Sequence, residues 1–186
     1  YYLRGSELKG TRFQSVTPKR GNVFRALFED YFVPLTSIIV KKEALSSLPY
    51  AFDSRFLMIG DQDLMKRLAF KWDFDYTEEA LAKIRLHDSN LSKQFPRRFA
   101  EEGEEVIITY EELFPNFKTD YAYEYKLQLR EIEYIHAKSD YTEGNYISCW
   151  RRCVKNIFIK RFIRLLALSL IPKKMGHFLV RKIRRL

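Results

Sequence analysis

The chain of 186 residues lacks several features that mark familiar classes of protein. It has only two cysteines, Cys149 and Cys153, and this pair suits neither a disulfide framework nor a four-ligand zinc site, so we expect free thiols in a reducing compartment. No charged and then apolar signal sequence opens the chain. Its longest mostly apolar run, residues 165–171, is far shorter than the roughly 20 residues that a transmembrane helix needs.

Acidic residues are missing from the C-terminal segment, residues 149–186. This segment holds 12 Lys and Arg and no Asp or Glu, whereas residues 1–148 hold 21 Lys and Arg against 24 Asp and Glu. The net charge of the chain is +9, and all of this excess of basic over acidic residues lies in the C-terminal segment. A nearly neutral body with a basic C-terminus predicts one surface that docks on something anionic.

The composition that is present belongs to a globular protein, because 46% hydrophobic and 16% aromatic residues exclude a disordered chain. Periodicity predicts a short buried strand at residues 35–42, a short helix before Pro49 and a long helical pattern over residues 117–138. Four apolar residues would share the face of an earlier helix: Val23, Phe24, Leu27 and Phe28. The mix of short strands and helices predicts an α/β or α+β class.

Two aspartates, Asp61 and Asp63, stand at the predicted start of a helix within "AFDSRFLMIGDQDLMKRLAF", residues 51–70. Asp61 has the position and type of an N-cap, and an apolar stripe follows it: Leu64, Met65, Leu68 and Ala69. Capping of the helix and a favourable interaction with its dipole would explain why both aspartates stand at the helix start. A carboxylate held at a helix start beneath Gly60 could instead be a general base or a metal ligand, and spacing does not decide between the two.

Three motifs occur in a fixed order along the chain. They are Phe52-Asp53, then Gly60-Asp61 opening Asp-x-Asp-Leu-x-x-Arg-Leu-Ala at residues 61–69, and Arg-x-His-x-x-Asn-x-Ser at residues 85–92. This order resembles the C-terminal half of the catalytic domain in family 2 glycosyltransferases of the GT-A fold, over about residues 13–95. One departure is Gly60, where the family usually has a glutamate.

The resemblance implies inverting transfer of a sugar from a nucleotide-sugar donor to a glycan or lipid-linked acceptor. Asp61 would be the catalytic general base, because the acceptor hydroxyl must lose its proton as it attacks. Gly60 would let substrate approach the backbone, and Gln62 would bind an acceptor hydroxyl or face solvent. Asp63 would support the helix start or bind acceptor hydroxyls. His87 would lie near the donor diphosphate or its metal, or be an ordinary surface histidine.

The resemblance also implies a divalent cation, Mg²⁺ or Mn²⁺, in the complete enzyme. Related enzymes hold it on an Asp-x-Asp motif at the end of an apolar strand. The two such strings here, residues 61–63 and 73–75, follow no apolar strand, and there is no Gly-rich phosphate loop. We therefore predict no metal site within this chain. The donor-binding half would precede Tyr1, and the chain alone would be inactive.

The predicted fold is accordingly α/β, the C-terminal half of a GT-A nucleotide-sugar transferase domain followed by a mainly helical extension. The acceptor-side half would cover residues 1–97, the helical extension residues 98–148, and a basic amphipathic tail residues 149–186.

The basic tail predicts an amphipathic helix over residues 157–171, after a break near Asn156. Lys160, Arg161 and Arg164 would share one face. The opposite face would carry Phe158, Ile159, Phe162, Ile163, Leu166 and Leu170. This apolar face would either rest on an anionic membrane surface or pack on the protein body.

Two hypotheses follow from these observations. The first is a cytoplasmic glycosyltransferase, peripheral at the inner face of the membrane, that builds a cell-surface polysaccharide. The alternative is a non-enzymatic binding module whose basic tail docks on lipid or nucleic acid, although no recognised nucleic-acid motif is present.

Overall fold

A computed structural model of the chain describes residues 2–4, 7–10, 18–79, 81–85 and 91–170. Over these residues the chain is mainly helical. It divides into two compact units, of which the first ends at Gln128 and the second begins at Leu129. The predicted boundary between residues 97 and 98 therefore lies within the first unit.

The described strands are short. Strand β1 (Tyr2–Arg4) pairs antiparallel with β2 (Glu7–Gly10) and parallel with β3 (Ile84–Arg85). The extended run predicted through Ile84 is thus observed, whereas Leu86 lies outside the described residues. Such short strands do not amount to the predicted α/β architecture, and the mainly helical content does not support a GT-A fold.

The predicted buried strand at residues 35–42 is wrong. A 3₁₀ turn occupies Leu35–Ser37 after Pro34, and Ile39 is fully exposed. No strand pairing involves residues 38–40 in the part of the chain that the structure describes. An apolar run predicts a strand only if a neighbouring strand supplies its hydrogen bonds, and that neighbour cannot be read from the run itself.

Helices make up most of the first unit. Their bounds are α1 (Ala26–Glu29), α2 (Lys42–Ser46), α3 (Gly60–Ala69), α4 (Leu91–Gln94), α5 (Pro96–Leu113) and α6 (Phe117–Asp120), followed by α7 (Ala122–Glu143), which continues into the second unit. These elements confirm the short helix before Pro49 and the long helical pattern over residues 117–138. Pro96 suits the first position of α5, where its missing N–H costs no helical hydrogen bond.

The core of the first unit is aromatic. Phe24 packs edge-to-face against Phe28, Phe70 and Phe114 with ring centroids 5.0 to 5.3 Å apart. The apolar stripe predicted for α3 is buried here, as are Val23, Phe24 and Leu27. Helix α3 is therefore the central helix of this core, and its polar residues must find partners inside the protein.

The second unit contains the end of α7, then α8 (Tyr146–Lys155) and α9 (Lys160–Ser169). The predicted break near Asn156 is confirmed, because α8 ends at Lys155 and Asn156 is its C-cap. The unit has its own core, formed by Ala137, Tyr141, Cys149, Cys153, Phe162 and Leu165. Both cysteines are free and buried. No helix among the described residues is both long and apolar enough to cross a membrane.

Two neighbouring phenylalanines test this core. Phe162 is fully buried and stacks edge-to-face on Tyr134 at 5.4 Å, whereas Phe158 is 99% exposed. We expect Phe162→Ala to lower the free energy of unfolding by about 3–5 kcal/mol and Phe158→Ala to change it by less than about 0.5 kcal/mol. Urea denaturation followed by circular dichroism measures both values, and equal effects would contradict this account of the core.

Candidate functional site

The start of helix α3 carries the acids that the sequence singles out. The N-cap is Ile59 and the helix begins at Gly60, so the predicted N-cap role of Asp61 is wrong by two positions. Ile59 has no side-chain oxygen, so the N-cap residue itself makes no side-chain capping hydrogen bond. The Asp61 carboxylate accepts a hydrogen bond from the neighbouring Gln62 N–H, with Oδ1 and N 2.8 Å apart.

Glu102 on helix α5 binds the segment that leads into helix α3. Its buried carboxylate accepts three backbone N–H hydrogen bonds, from Leu57 at 3.0 Å, Met58 at 2.7 Å and Ile59 at 3.2 Å. Arg98 Nε donates to the same carboxylate at 2.8 Å. A carboxylate at this place also interacts favourably with the positive end of the α3 dipole. Sequence reasoning missed Glu102, since nothing local shows which segment a distant acid will bind.

Asp61 lies half-buried at this helix start. Burial raises the pKa of its carboxyl group above the ordinary value. The Gln62 N–H, a hydrogen bond with the Tyr31 side chain and the charge of Lys66 oppose this rise. The result is a carboxylate that is harder to keep ionised than a surface aspartate and is therefore a better proton acceptor.

Asp63 is placed differently, in the interior of the first unit. Its side chain is 0% exposed, and its Oδ2 accepts hydrogen bonds from Arg67 Nε at 3.0 Å and Nη2 at 2.7 Å. Arg67 also donates to the carbonyl oxygens of Tyr50 and Ala51 at 2.6 and 2.7 Å. Asp63 therefore offers no accessible atom to an acceptor, and it acts here as the counter-charge that lets Arg67 hold the chain at residues 50–51.

The other predicted site residues are placed as follows. Gln62 is partly exposed beside Asp61. Gly60 is buried, and a Cβ there would meet the Phe52 ring at 3.8 Å, an ordinary contact. The Phe52 ring thus lies beside Gly60, and the approach of substrate to this glycine stays a prediction. His87 lies outside the described residues.

The segment before α3 is braced by Asp53 of the Phe52-Asp53 motif. Asp53 accepts hydrogen bonds from the Arg55 side chain at 2.6 to 3.1 Å, and Arg55 Nη2 donates to Thr109 on α5 at 3.1 Å. The Arg55 hydrogen bonds lower the pKa of Asp53. Arg55, which is bonded to Asp53, and Glu102 together tie residues 53–59 to helix α5.

The carboxylates here do not form a divalent-cation site. Asp63 is paired with Arg67, and Asp61 already accepts hydrogen bonds. Asp73 and Asp75 are exposed, and Asp75 forms an ion pair with Arg20. No group of three or more metal-binding side chains comes together in the described part of the chain. The described carboxylates therefore do not fit the cation that the resemblance implies.

Comparison of the chain with protein-family models, curated proteins and solved structures finds no match in any of the three. The chemistry of the site has to be argued from its own residues.

The role of Glu102 can be tested against its neighbour on α5. Glu102→Gln keeps the shape but removes the charge and one acceptor oxygen, so buried N–H groups lose partners. We expect a loss of about 2 kcal/mol or more in the free energy of unfolding. Glu101, which is exposed, is the matched control, and Glu101→Gln should change stability by less than about 0.5 kcal/mol. Equal melting temperatures for the two variants would contradict the role of Glu102 in holding residues 57–59.

The pH dependence of stability distinguishes Asp61 from Asp53. The folded-state pKa of Asp61 is raised, so its ionisation removes stability as pH rises from the ordinary pKa to the folded one. Asp61→Asn should therefore be more stable than the parent at neutral pH, and this advantage should vanish below about pH 4.

Asp53 provides a control of opposite sign. Its pKa is lowered, so its charge contributes stability above the ordinary pKa that is lost as pH falls through the folded value. Asp53→Asn should be less stable than the parent at neutral pH, and the gap should close in acid. Melting temperatures across this pH range measure both, and a destabilised Asp61→Asn at neutral pH would overturn the assignment.

Proposed function

We propose that the chain is the acceptor-side part of an inverting glycosyltransferase, which moves a sugar from a nucleotide-sugar donor to a glycan or lipid-linked acceptor. The observation that carries the proposal is Asp61, a half-buried carboxylate with a raised pKa at the start of a helix. It stands within three motifs that follow the order of the family. The mainly helical content does not support a complete GT-A domain, so the proposal depends on the site and the motifs.

The chemistry asked of Asp61 is proton transfer. In inverting transfer the acceptor hydroxyl attacks the anomeric carbon and loses its proton to a carboxylate within hydrogen-bond reach. Burial strengthens Asp61 as a base, while Lys66 and the hydrogen bonds from Gln62 and Tyr31 favour its charged form. The binding of residues 57–59 by Glu102 fixes where this carboxylate lies.

The surface beside Asp61 suits a carbohydrate acceptor. Phe52, whose ring packs over Gly60, is more than half exposed, as is Leu57. An exposed aromatic face gives the apolar side of a sugar ring a surface on which to pack. The partly exposed Gln62 would offer an amide for hydrogen bonds to acceptor hydroxyls. The nucleotide-sugar and its divalent cation would be bound mostly by residues outside this chain, with His87 near the donor diphosphate.

A rate measurement tests the proposal, in the chain joined to the donor-binding half that the resemblance implies. Asp61→Asn retains the size of the side chain but cannot accept the proton. We expect kcat to fall by about two to four orders of magnitude, with donor affinity nearly unchanged. Transfer to the acceptor at saturating donor measures this effect.

Asp73→Asn is the matched control, because Asp73 is an exposed aspartate in the other Asp-x-Asp string. Its kcat should stay within about twofold of the parent. Asp63→Asn is unsuitable as a control, since it disturbs the buried pair with Arg67. Near-normal turnover by a folded Asp61→Asn would remove the general base from the proposal.

A further inference from the structure

Helices α8 and α9 form a hairpin joined by residues 156–159. Cys149 and Cys153 on α8 and Phe162 and Leu165 on α9 share the buried core of the second unit. Trp150 Nε1 donates a hydrogen bond to Ser169 Oγ at 2.8 Å, which links the start of α8 to the end of α9. The inner side of the hairpin is therefore occupied, and the orientation of its outer side is fixed.

The six cations of the hairpin fall into two groups, those that form ion pairs with described residues and those that do not. Arg152 pairs with Glu133 and Asp140 on α7 at 3.0 and 3.2 Å, and Arg161 pairs with Glu131. The other four are exposed and form no ion pair with any described residue: Arg151, Lys155, Lys160 and Arg164. Residues 144–170 contain no Asp or Glu, so these four charges have no local counter-charge.

The outer side also carries apolar side chains at helical spacing. On α8 the exposed members are Ile147, Trp150 and Val154, and on α9 and at its C-cap they are Ile163 and Leu170. At about 100° per residue, Arg151 and Lys155 lie beside the first row and Lys160 and Arg164 beside the second. Phe158, in the connection between the helices, is 99% exposed. We call these five positions, Phe158 and the four cations the hairpin surface.

We propose that the hairpin surface docks on the surface of an anionic lipid bilayer. In such a bilayer the apolar rows would contact the acyl chains, and the cations beside them would contact the anionic headgroups. Trp150 adds a partly exposed aromatic ring to this surface, and its N–H group is already bonded to Ser169. Each helix has ten residues, about 15 Å, so it would lie in the plane of the interface and not cross it.

The observations favour lipid over nucleic acid. Single-stranded nucleic acid is bound by aromatic rings that stack on bases, together with cations. The exposed apolar side chains of the hairpin are mostly aliphatic, with Trp150 and Phe158 as the aromatic members. No residue of the Asp61 site takes part, so this inference stands apart from the proposed sugar transfer.

Vesicle binding of the full chain tests the proposal. The probe is vesicles of phosphatidylcholine and phosphatidylglycerol in equal parts, compared with phosphatidylcholine alone. Changing all four cations of the hairpin surface to Gln should weaken binding to the anionic vesicles by at least about 10²-fold. Raising the salt from about 0.1 M to about 1 M should weaken binding of the parent, because the screening length falls from about 10 Å to about 3 Å.

The matched control changes four exposed lysines of the first unit to Gln: Lys41, Lys42, Lys71 and Lys83. Its net charge equals that of the hairpin variant, and its binding should stay within about threefold of the parent, because only the location of the charges differs. Equal losses in the two variants would show a non-specific effect of net charge and overturn the proposal. Parent-like binding by the hairpin variant would also overturn it.

Insertion is measured separately through Trp150. In a Trp72→Phe background Trp150 is the one remaining tryptophan, and its emission should shift to the blue on anionic vesicles. Phe158→Ser should weaken this binding without lowering the melting temperature, because Phe158 is not part of the core. An unshifted emission would exclude insertion. Tighter binding to a single-stranded oligonucleotide at equal salt, or a dimer that hides Trp150, would replace the lipid proposal.

Discussion

The carboxylate of Glu102 is the constraint on which the first unit depends. Helix α3 begins after Ile59, and the backbone N–H groups of residues 57–59, which lead into the helix, need hydrogen-bond acceptors. Glu102 provides an acceptor from α5 and thereby holds the segment that leads into α3 and to Asp61. A buried acid that is fully hydrogen-bonded ties two distant segments together, whereas the same acid without these partners would be costly.

Local patterns predicted the helical parts of the fold well. The apolar stripe of α3, the long helical pattern after residue 117 and the break at Asn156 are each determined by residues close in sequence. The failure at residues 38–40 has the opposite origin. An extended apolar segment becomes a strand only through a partner, and the small sheet contains β1, β2 and β3 instead. The α/β class was predicted from such runs and is not supported.

The candidate site shows the same division between local and distant information. The sequence singled out Asp61 and Asp63 as a pair, but not which would be accessible. Arg67, four residues after Asp63 on the same helix, is the local signal that predicts their ion pair. The contacts of Tyr31 and Glu102 come from other parts of the chain and have no comparable signal. Which carboxylate can accept a proton is thus decided by tertiary packing.

The two buried thiols of the second unit provide a probe of local unfolding. Burial raises the pKa of Cys149 and raises that of Cys153 to about 12, so neither thiolate forms readily in the folded hairpin. An alkylating reagent would reach them only when α8 and α9 separate. The first unit contains no cysteine. The rate of thiol labelling therefore reports the rate of local unfolding of the second unit alone.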